Sequence, residues 1–213
     1  MIRFLSYIYP ITKTVTSDHS GTLEITWYNG KKYLNTKHAN YSYGSLQHIL
    51  KFGLYKINLK KTRSILILGL GGGSVIETLK TDFNFDGPIT AVEIDPVVIA
   101  VAKEEFHISE GPQLKIICED ARDFLQKNTR QFDLVIVDLF IDNQVPKDFY
   151  ATGFWKTLIK SNSKNGQVLF NAALSNHSKE TLGQVIKILQ TNSYRTDIHT
   201  KVNGTNTVLI AQR

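Results

Sequence analysis

Short apolar runs alternate with amphipathic segments over residues 63–191 of the chain. This alternation is typical of a parallel β-sheet that is buried on both faces under helices. The apolar runs predict strands over residues 64–68, 89–93, 114–118, 134–138 and 167–172. The segments between and after them predict helices over residues 74–81, 96–106, 121–126, 149–161 and 179–191.

The N-terminal part of the chain has a different pattern. Residues 22–27 and 32–34 read as strands on either side of Asn29 and Gly30. Asn-Gly is the residue pair that favours a two-residue hairpin turn, because both turn positions need a positive φ. A helix with one apolar stripe follows over residues 45–55. We therefore expect a β-hairpin ahead of the main sheet.

The C-terminal part also ends in a predicted hairpin. Residues 194–201 and 207–211 are strand-like, and residues 202–206 join them through an Asn-Gly turn. A mostly parallel sheet that finishes with an antiparallel hairpin is the expected α/β architecture. We predict two parts, an N-terminal β-hairpin extension over residues 1–44 and a Rossmann-like domain over residues 45–213.

Composition excludes several classes of protein. The 213 residues are 42% hydrophobic and 21% charged, which is enough apolar material for one sizeable core and excludes a disordered chain. The single cysteine, Cys118, cannot form an internal disulfide, which favours a reducing compartment. No apolar run approaches the roughly 18 residues that a membrane helix needs. The expected protein is soluble and cytoplasmic.

The net charge of +6 raises the question of nucleic-acid binding. Basic residues are concentrated before the first apolar strand, at Lys51, Lys56, Lys60, Lys61 and Arg63. We favour a solvated helix face for them, because no nucleic-acid motif accompanies the charge. The six histidines show no paired ligand spacing, so no metal site is predicted.

A glycine-rich loop is the sharpest chemical signal. Four glycines, Gly69, Gly71, Gly72 and Gly73, follow a buried strand and precede a predicted helix. Glycines at such a turn let the backbone approach a ligand where any Cβ would clash. This arrangement predicts a cofactor site, since four glycines exceed what a simple turn needs.

Acidic residues end the following strands, at the edge of the sheet where open α/β folds place their ligands. Glu93 lies 20 residues beyond Gly73 and suits the hydroxyl groups of a ribose. Asp120 suits either an adenine amino group or the first turn of a helix. Asp138 is expected to face the reactive end of a bound cofactor, with Asp142 on the same loop lining the acceptor site.

These four segments, in this order and spacing, resemble the spermidine synthase family of the S-adenosylmethionine-dependent methyltransferase superfamily. The resemblance implies the class I methyltransferase-like fold and the use of S-adenosylmethionine or its decarboxylated form. It also implies a role for each matching residue. Gly69, Gly71 and Gly73 would surround the amino-acid or aminopropyl portion of the cofactor, Glu93 the ribose, Asp120 with Ala121 the adenine, Asp138 the nucleophile, and Tyr43 and Asp142 the acceptor substrate.

The chain departs from the family pattern where an amine would be bound. Gly72 stands where family members that make polyamines carry an aspartate, and Leu23 stands where a glutamine is expected. Only Tyr43 persists from a Tyr-His-Glu run, and Asp138 and Asp142 are four residues apart instead of three. Because each change removes a ligand for a cationic group, the sequence favours a methyltransferase that acts on an unknown small acceptor.

Three alternatives stay open. The first is a polyamine aminopropyltransferase that uses decarboxylated S-adenosylmethionine, and the second is a non-catalytic nucleoside-binding protein. The third, a nicotinamide dehydrogenase, is disfavoured by Ser74 at the third position of the glycine pattern and by the terminal hairpin. The expected partner is a small-molecule acceptor, with neither membrane nor nucleic acid, and a homodimer is left open.

Overall fold

The computed structural model describes residues 2–36, 40–141, 144–174 and 179–213. Its N-terminal part is a short helix followed by a four-stranded antiparallel sheet with the strands in chain order. These elements are α1 (Ile2–Leu5), β1 (Ile11–Ser17), β2 (Gly21–Tyr28), β3 (Lys31–Thr36) and β4 (Asn40–Ser42).

The predicted N-terminal hairpin is the β2–β3 pair. Tyr28 pairs with Lys31 across the turn, and Asn29 and Gly30 between them have φ values of 48° and 73°. Both turn residues therefore adopt the positive φ that a two-residue hairpin requires. The structure adds β1 and β4 on either side, so this part of the chain is a small sheet rather than one hairpin.

The main domain alternates helices and strands. Its first elements are α2 (Ser45–Tyr55), β5 (Ile65–Leu68), α3 (Ser74–Thr81), β6 (Ile89–Glu93), α4 (Pro96–Phe106), β7 (Leu114–Cys118), α5 (Ala121–Lys127) and β8 (Phe132–Val137). The elements that follow are α6 (Thr152–Lys160), β9 (Asn162–Leu174), α7 (Lys179–Thr191), β10 (Arg195–Val202) and β11 (Asn206–Gln212). Short 3₁₀ helices occur at Leu59–Lys61 and Lys147–Tyr150.

Seven strands form the central sheet in the order β10-β11-β9-β8-β5-β6-β7. Strands β5 to β9 are parallel, whereas β11 is antiparallel to β9 and β10 is antiparallel to β11. The predicted fold class is therefore confirmed, including the C-terminal antiparallel hairpin. The strand order reverses between β5 and β8, and open α/β sheets bind ligands at such a point.

Two predicted elements differ from the structure. The expected helix over residues 149–161 is divided into the 3₁₀ helix Lys147–Tyr150 and α6, because the extended Ala151 separates them. Strand β9 begins at Asn162 instead of residue 167. The polar residues at its start carry no apolar pattern, but Asn162 pairs with Phe132 of β8.

Alternating side chains of the sheet enter two apolar layers. Leu66 and Leu68 pack with residues of α5, α6 and α7 on one face. Ile65 and Ile67 pack with residues of α2 and α3 on the other. Strand β5 is thus buried on both faces, which explains its unbroken apolar run. Among the helices that the structure describes, none has the length and apolar character to cross a membrane.

The N-terminal sheet packs against α4. Leu23, Ile25 and Leu34 form an apolar cluster with Val98 and Val101 of this helix. Ion pairs from Lys13 and Lys32 to Glu105, at 3.0 and 2.9 Å, add to the contact. The N-terminal sheet therefore lies against the main domain along one helix, and the domain boundary at residue 44 stays a prediction.

The buried Asp95 side chain joins the β1–β2 turn to the start of α4. Its Oδ2 accepts hydrogen bonds from the hydroxyl groups of Ser17 and Ser20, both at 2.5 Å. Its Oδ1 accepts from the backbone N–H groups of Val97 and Val98 at 2.9 and 3.4 Å, as a helix N-cap does. Burial alone would raise the pKa of Asp95, but these hydrogen bonds outweigh it and lower the pKa below its ordinary value.

We predict that Asp95→Ala lowers the free energy of unfolding by about 2–3 kcal/mol, because it removes a helix cap and leaves buried hydroxyl groups without their acceptor. Urea unfolding measures the change, and Asp18→Ala, an exposed residue of the same turn, is the control. Because the folded pKa is lowered, the Asp95 contribution is present above about pH 4 and is lost as the pH falls through that pKa. Equal stability of the two variants at pH 7 would contradict this role.

Candidate functional site

The carboxyl ends of β5, β6, β7 and β8 open into one cavity of about 450 Å³. Its walls also include residues of α2, the β1–β2 turn, the second 3₁₀ helix and the β10–β11 turn. This volume lies in the range of small-molecule sites. The predicted glycine loop and the acidic strand ends therefore meet at a cavity with room for a nucleoside-sized ligand.

The glycine loop passes very close to the end of β8. Gly69 has a φ of +94°, and its N–H donates to the Val92 carbonyl at 2.9 Å. The N–H of Asp138 donates to the Leu68 carbonyl, also at 2.9 Å. A Cβ built on Gly69 would collide with the backbone oxygen of Asp138. Only glycine fits both the φ and the space at this position.

The carboxylate of Glu93 lies under the glycine loop and is only 6% exposed. Its Oε2 accepts hydrogen bonds from the N–H groups of Leu70 at 3.0 Å and Gly71 at 3.4 Å, and its Oε1 accepts from Asp95 N–H at 3.1 Å. Burial raises the pKa of Glu93 and the three backbone bonds act against this rise. The side chain lines the cavity and connects the ends of β5 and β6.

Asp120 is the N-cap of α5 and forms an ion pair within its own turn. Its Oδ1 accepts from the backbone N–H of Arg122 at 2.7 Å, and its Oδ2 accepts from the guanidinium at 2.7 Å. The same guanidinium reaches Asp148 at 2.8 Å. The hydrogen bonds from Arg122 hold the pKa of Asp120 below its usual range. Arg122 therefore joins two walls of the cavity.

Asp138 directly follows strand β8, and the side-chain amide of Asn171 holds its carboxyl group. Its Oδ1 accepts a hydrogen bond from Asn171 Nδ2 at 2.9 Å. Asn171 Oδ1 accepts in turn from Asn206 Nδ2 at 2.8 Å, and Thr205 Oγ1 lies 2.8 Å from Asn206 Oδ1. Burial raises the pKa of Asp138 to about 6, the Asn171 bond lowers it, and the charge of Glu93 raises it.

The sequence interpretation missed Asn171, Thr205 and Asn206. Asn171 is a polar residue within the apolar run of β9, and this position is itself a signal, since a buried amide needs hydrogen-bond partners. Asn206 carries only the signal of a turn residue in the sequence. Thr205 and Asn206 line the cavity together with Asp138.

The described lining of the cavity carries five carboxyl groups against one guanidinium. Glu119 pairs with Lys127, and Arg122 pairs with Asp120 and Asp148. Within the described residues, Glu93 and Asp138 form no ion pair. The cavity therefore offers two uncompensated carboxyl groups to a positively charged ligand.

Most of the predicted site residues line this cavity. They are Gly69, Gly71, Glu93, Asp120, Ala121 and Asp138. Gly73 is not part of the described lining, because it caps α3 at a φ of 82° and a Cβ there would meet Ile108. Asp142 lies outside the described residues.

Tyr43 is not brought to the cavity, in contrast to the expectation of a substrate contact. Its ring stacks on Phe106 of α4 with the centroids 4.6 Å apart. Burial raises the pKa of its hydroxyl group, and the charge of Glu77 and a hydrogen bond to it act in the same direction. Tyr43 has a φ of 67°, and its side chain packs behind the glycine loop near Gly72.

Comparison with known sequences supports the arrangement of the motifs. The sequence model of a family described as the spermine/spermidine synthase domain matches residues 46–203. Polyamine aminopropyltransferase 2 of Aquifex aeolicus is 30% identical over 141 residues, which cover 62% of this chain and 28% of that protein. The eEF1A lysine and N-terminal methyltransferase homolog of Drosophila melanogaster is 26% identical over 130 residues, which cover 56% of this chain and 19% of that protein.

Comparison with solved structures supports the fold. A probable spermidine synthase from Corynebacterium glutamicum superposes with a TM-score of 0.69 at 17% identity, covering 96% of this chain and 77% of that one. The chain spans less than half the length of the curated relatives that it matches. In these relatives the matched region is thus one part of a longer protein.

We predict that Gly69→Ala lowers the free energy of unfolding by about 2 kcal/mol or more, because it combines a left-handed φ with a collision against backbone. Gly111→Ala is the matched control, since a Cβ at Gly111 meets no atom within 4 Å. Urea unfolding of both variants measures the difference. A Gly69→Ala protein as stable as the Gly111→Ala protein would show that the loop does not need glycine there.

Proposed function

We propose that this chain, which belongs to the spermine/spermidine synthase family, transfers a methyl group from S-adenosylmethionine to a small acceptor. Membership of the family rests on the match over residues 46–203 and confirms the resemblance seen in the sequence. The cofactor form, the transferred group and the acceptor are what the proposal adds. The cavity, its charge and the crowding around the glycine loop support these additions.

The residues present fit an adenosyl group. Gly69 and Gly71 line the cavity without side chains, so a ligand can approach the backbone of the loop closely. Glu93 Oε1 carries a single hydrogen bond, which leaves a lone pair for a ribose hydroxyl. Asp120 Oδ2 accepts from the Arg122 guanidinium and has a further lone pair that can accept from the adenine amino group. We therefore assign Gly69, Gly71, Glu93, Asp120 and Ala121 to the cofactor.

The charge of the cavity suits a sulfonium. S-adenosylmethionine, when bound, would supply an electrophilic methyl group on a positively charged sulfur. Glu93 and Asp138 offer that positive charge two carboxyl groups without basic partners in the described structure, even though the whole chain carries a net charge of +6. The walls of the same cavity include the apolar side chains of Leu139, Phe140 and Phe149, which lower the local dielectric and strengthen the attraction.

Asp138 is the proposed catalytic residue. A pKa raised to about 6 makes its carboxylate a stronger base than an ordinary aspartate, and the group is still mainly charged at neutral pH. It can accept a proton from an amine or hydroxyl acceptor as the new bond forms. The sequence alone favours stabilisation of the positive charge that develops on an amine acceptor, because an ordinary carboxylate is a weak base. The raised pKa of Asp138 supports a base.

The crowding around Gly72 supports methyl transfer over aminopropyl transfer. A Cβ at this position would lie 3.0 Å from Ser42 Cβ, 3.1 Å from Ser42 Oγ and 3.2 Å from a ring carbon of Tyr43. Ser42 Oγ also accepts the N–H of Ser74 at 3.4 Å. Strand β4 thus occupies the space into which the aspartate of polyamine-making relatives would project. A loop without that aspartate avoids charge repulsion against the carboxylate of intact S-adenosylmethionine.

Aminopropyl transfer to a polyamine is the second candidate. The name of the Aquifex relative supports it, and the uncompensated Glu93 and Asp138 also suit a cationic amine. Formation of spermidine from putrescine and decarboxylated S-adenosylmethionine would establish this candidate and remove the first. A non-catalytic nucleoside-binding protein would bind the cofactor without forming either product.

We predict that S-adenosylmethionine and S-adenosylhomocysteine both raise the melting temperature at pH 7.5, because each binds the folded state alone. The affinity for S-adenosylmethionine should then fall several-fold relative to that for S-adenosylhomocysteine between about pH 7.5 and pH 5. The reason is that Asp138 takes up a proton near its pKa of about 6 and loses its attraction for the sulfonium, which the homocysteine form lacks. Isothermal titration calorimetry measures both affinities.

Two variants separate Asp138 from other groups in this test. Asp138→Asn should remove the pH dependence of the affinity ratio. His19→Ala should retain it; this control is needed because an imidazole also lines the cavity. A protein whose melting temperature responds to neither ligand would overturn the proposed function.

We predict that Gly72→Asp weakens S-adenosylmethionine binding several-fold relative to Gly72→Ala, because it adds a negative charge beside the glycine loop, on the side of Ser42 and Tyr43, and this charge lowers the affinity of the loop for a ligand carboxylate. Gly72→Ala is the matched control, since it adds the same Cβ without the charge. Both variants should lose a similar free energy of unfolding, about 1 kcal/mol, through crowding against Ser42. Equal cofactor affinity of the two variants would remove the argument for methyl transfer.

A further inference from the structure

Two amide side chains connect the Asp138 carboxyl group to the β10–β11 turn. Asn171 lies in the interior of β9 with 0% exposure, and Asn206 begins β11 with 5% exposure. Both ends of the Asn171 amide are used, because Nδ2 donates to Asp138 and Oδ1 accepts from Asn206. The Asn206 bond therefore determines which end of the Asn171 amide faces Asp138.

We propose that Asn171 and Asn206 are positioning residues that hold the Asp138 carboxyl group in its working orientation and link it to the acceptor side of the cavity. The proposal rests on the proposed function, in which Asp138 takes the proton of the acceptor. Thr205 and Asn206 line the same cavity as Asp138. An acceptor that contacts this turn thus acts on Asp138 through Asn171.

The two amide side chains of Asn171 and Asn206, called the relay below, keep a hydrogen-bond donor and not an acceptor against Asp138. If Asn171 turned its amide over, its oxygen would face the Asp138 carboxylate at a contact of 2.9 Å, which only a protonated Asp138 tolerates. Asn206 prevents this, because its own Nδ2 needs the Asn171 oxygen as acceptor. Among the described groups, Glu93 at the end of β6 is the charged neighbour that acts on Asp138, whereas β9 and β11 present the neutral amides.

Substitutions test each half of the relay. Asn171→Leu keeps the approximate shape and removes the donor, so the pKa of Asp138 should rise by about one unit. Asn206→Asp replaces a donor by an acceptor, so Asn171 should turn its Nδ2 toward residue 206 and the pKa of Asp138 should also rise. The control is Asn162→Ala, because Asn162 is an equally buried amide of β9 that bonds to Phe132, Gln167 and Tyr194.

The readout is the ¹³C resonance of the Asp138 carboxyl group in ligand-free protein labelled at aspartate, assigned with Asp138→Asn. A higher pKa in Asn171→Leu and Asn206→Asp, with no change in Asn162→Ala, supports the relay. An unchanged pKa in either of the first two variants overturns it. Because no cofactor is present, this result is independent of whether the protein binds S-adenosylmethionine, which the melting-temperature experiment decides.

The unsubstituted protein provides a second measurement if a variant does not fold. The side-chain NH₂ resonances of Asn171 and Asn206 should both titrate with the pKa of Asp138, and those of Asn162 should not. Independence of the Asn206 resonance from Asp138 would overturn the link to the turn. In a working assay, the acid limb of the kcat profile should move to higher pH in Asn206→Asp, while the KM for S-adenosylmethionine stays within about twofold.

Discussion

The hydrogen bonds between the Glu93 carboxylate and the glycine loop are the constraint on which the rest of the site depends. A buried carboxylate needs partners, and here backbone N–H groups of Leu70, Gly71 and Asp95 supply them in place of a basic side chain. The loop therefore takes one path over the end of β6, and the negative charge is satisfied without being neutralised. This arrangement keeps a polar crevice between β5 and β8.

The sheet and the glycine-loop side of the cavity are predictable because their signals are local. The apolar run of β5, the glycines after it and the acids at strand ends are adjacent in sequence to the elements that they define. The side of the cavity at the β10–β11 turn is different. Asn171 and Asn206 are 35 residues apart and meet only because β9 pairs with β11. Tyr43 likewise finds its partner, Phe106, on a distant helix.

The overall charge of the chain is a poor guide to its site. A net charge of +6 suggests acidic partners, yet the cavity is acidic because basic side chains pair elsewhere. Lys51 pairs with Asp82 and Lys32 pairs with Glu105, both away from the crevice. Within the described residues, the two carboxyl groups of the cavity that form no ion pair act on a ligand at short range, where salt screens charges least.

The walls of the cavity are drawn from distant parts of the chain. His19 and Ser20 come from the first hairpin turn, and Thr205 and Asn206 come from the last. During synthesis the glycine loop leaves the ribosome long before residue 206 does. A nascent chain consequently has a cavity with one wall missing until β11 has emerged. Products that end before β11 would have no complete pocket.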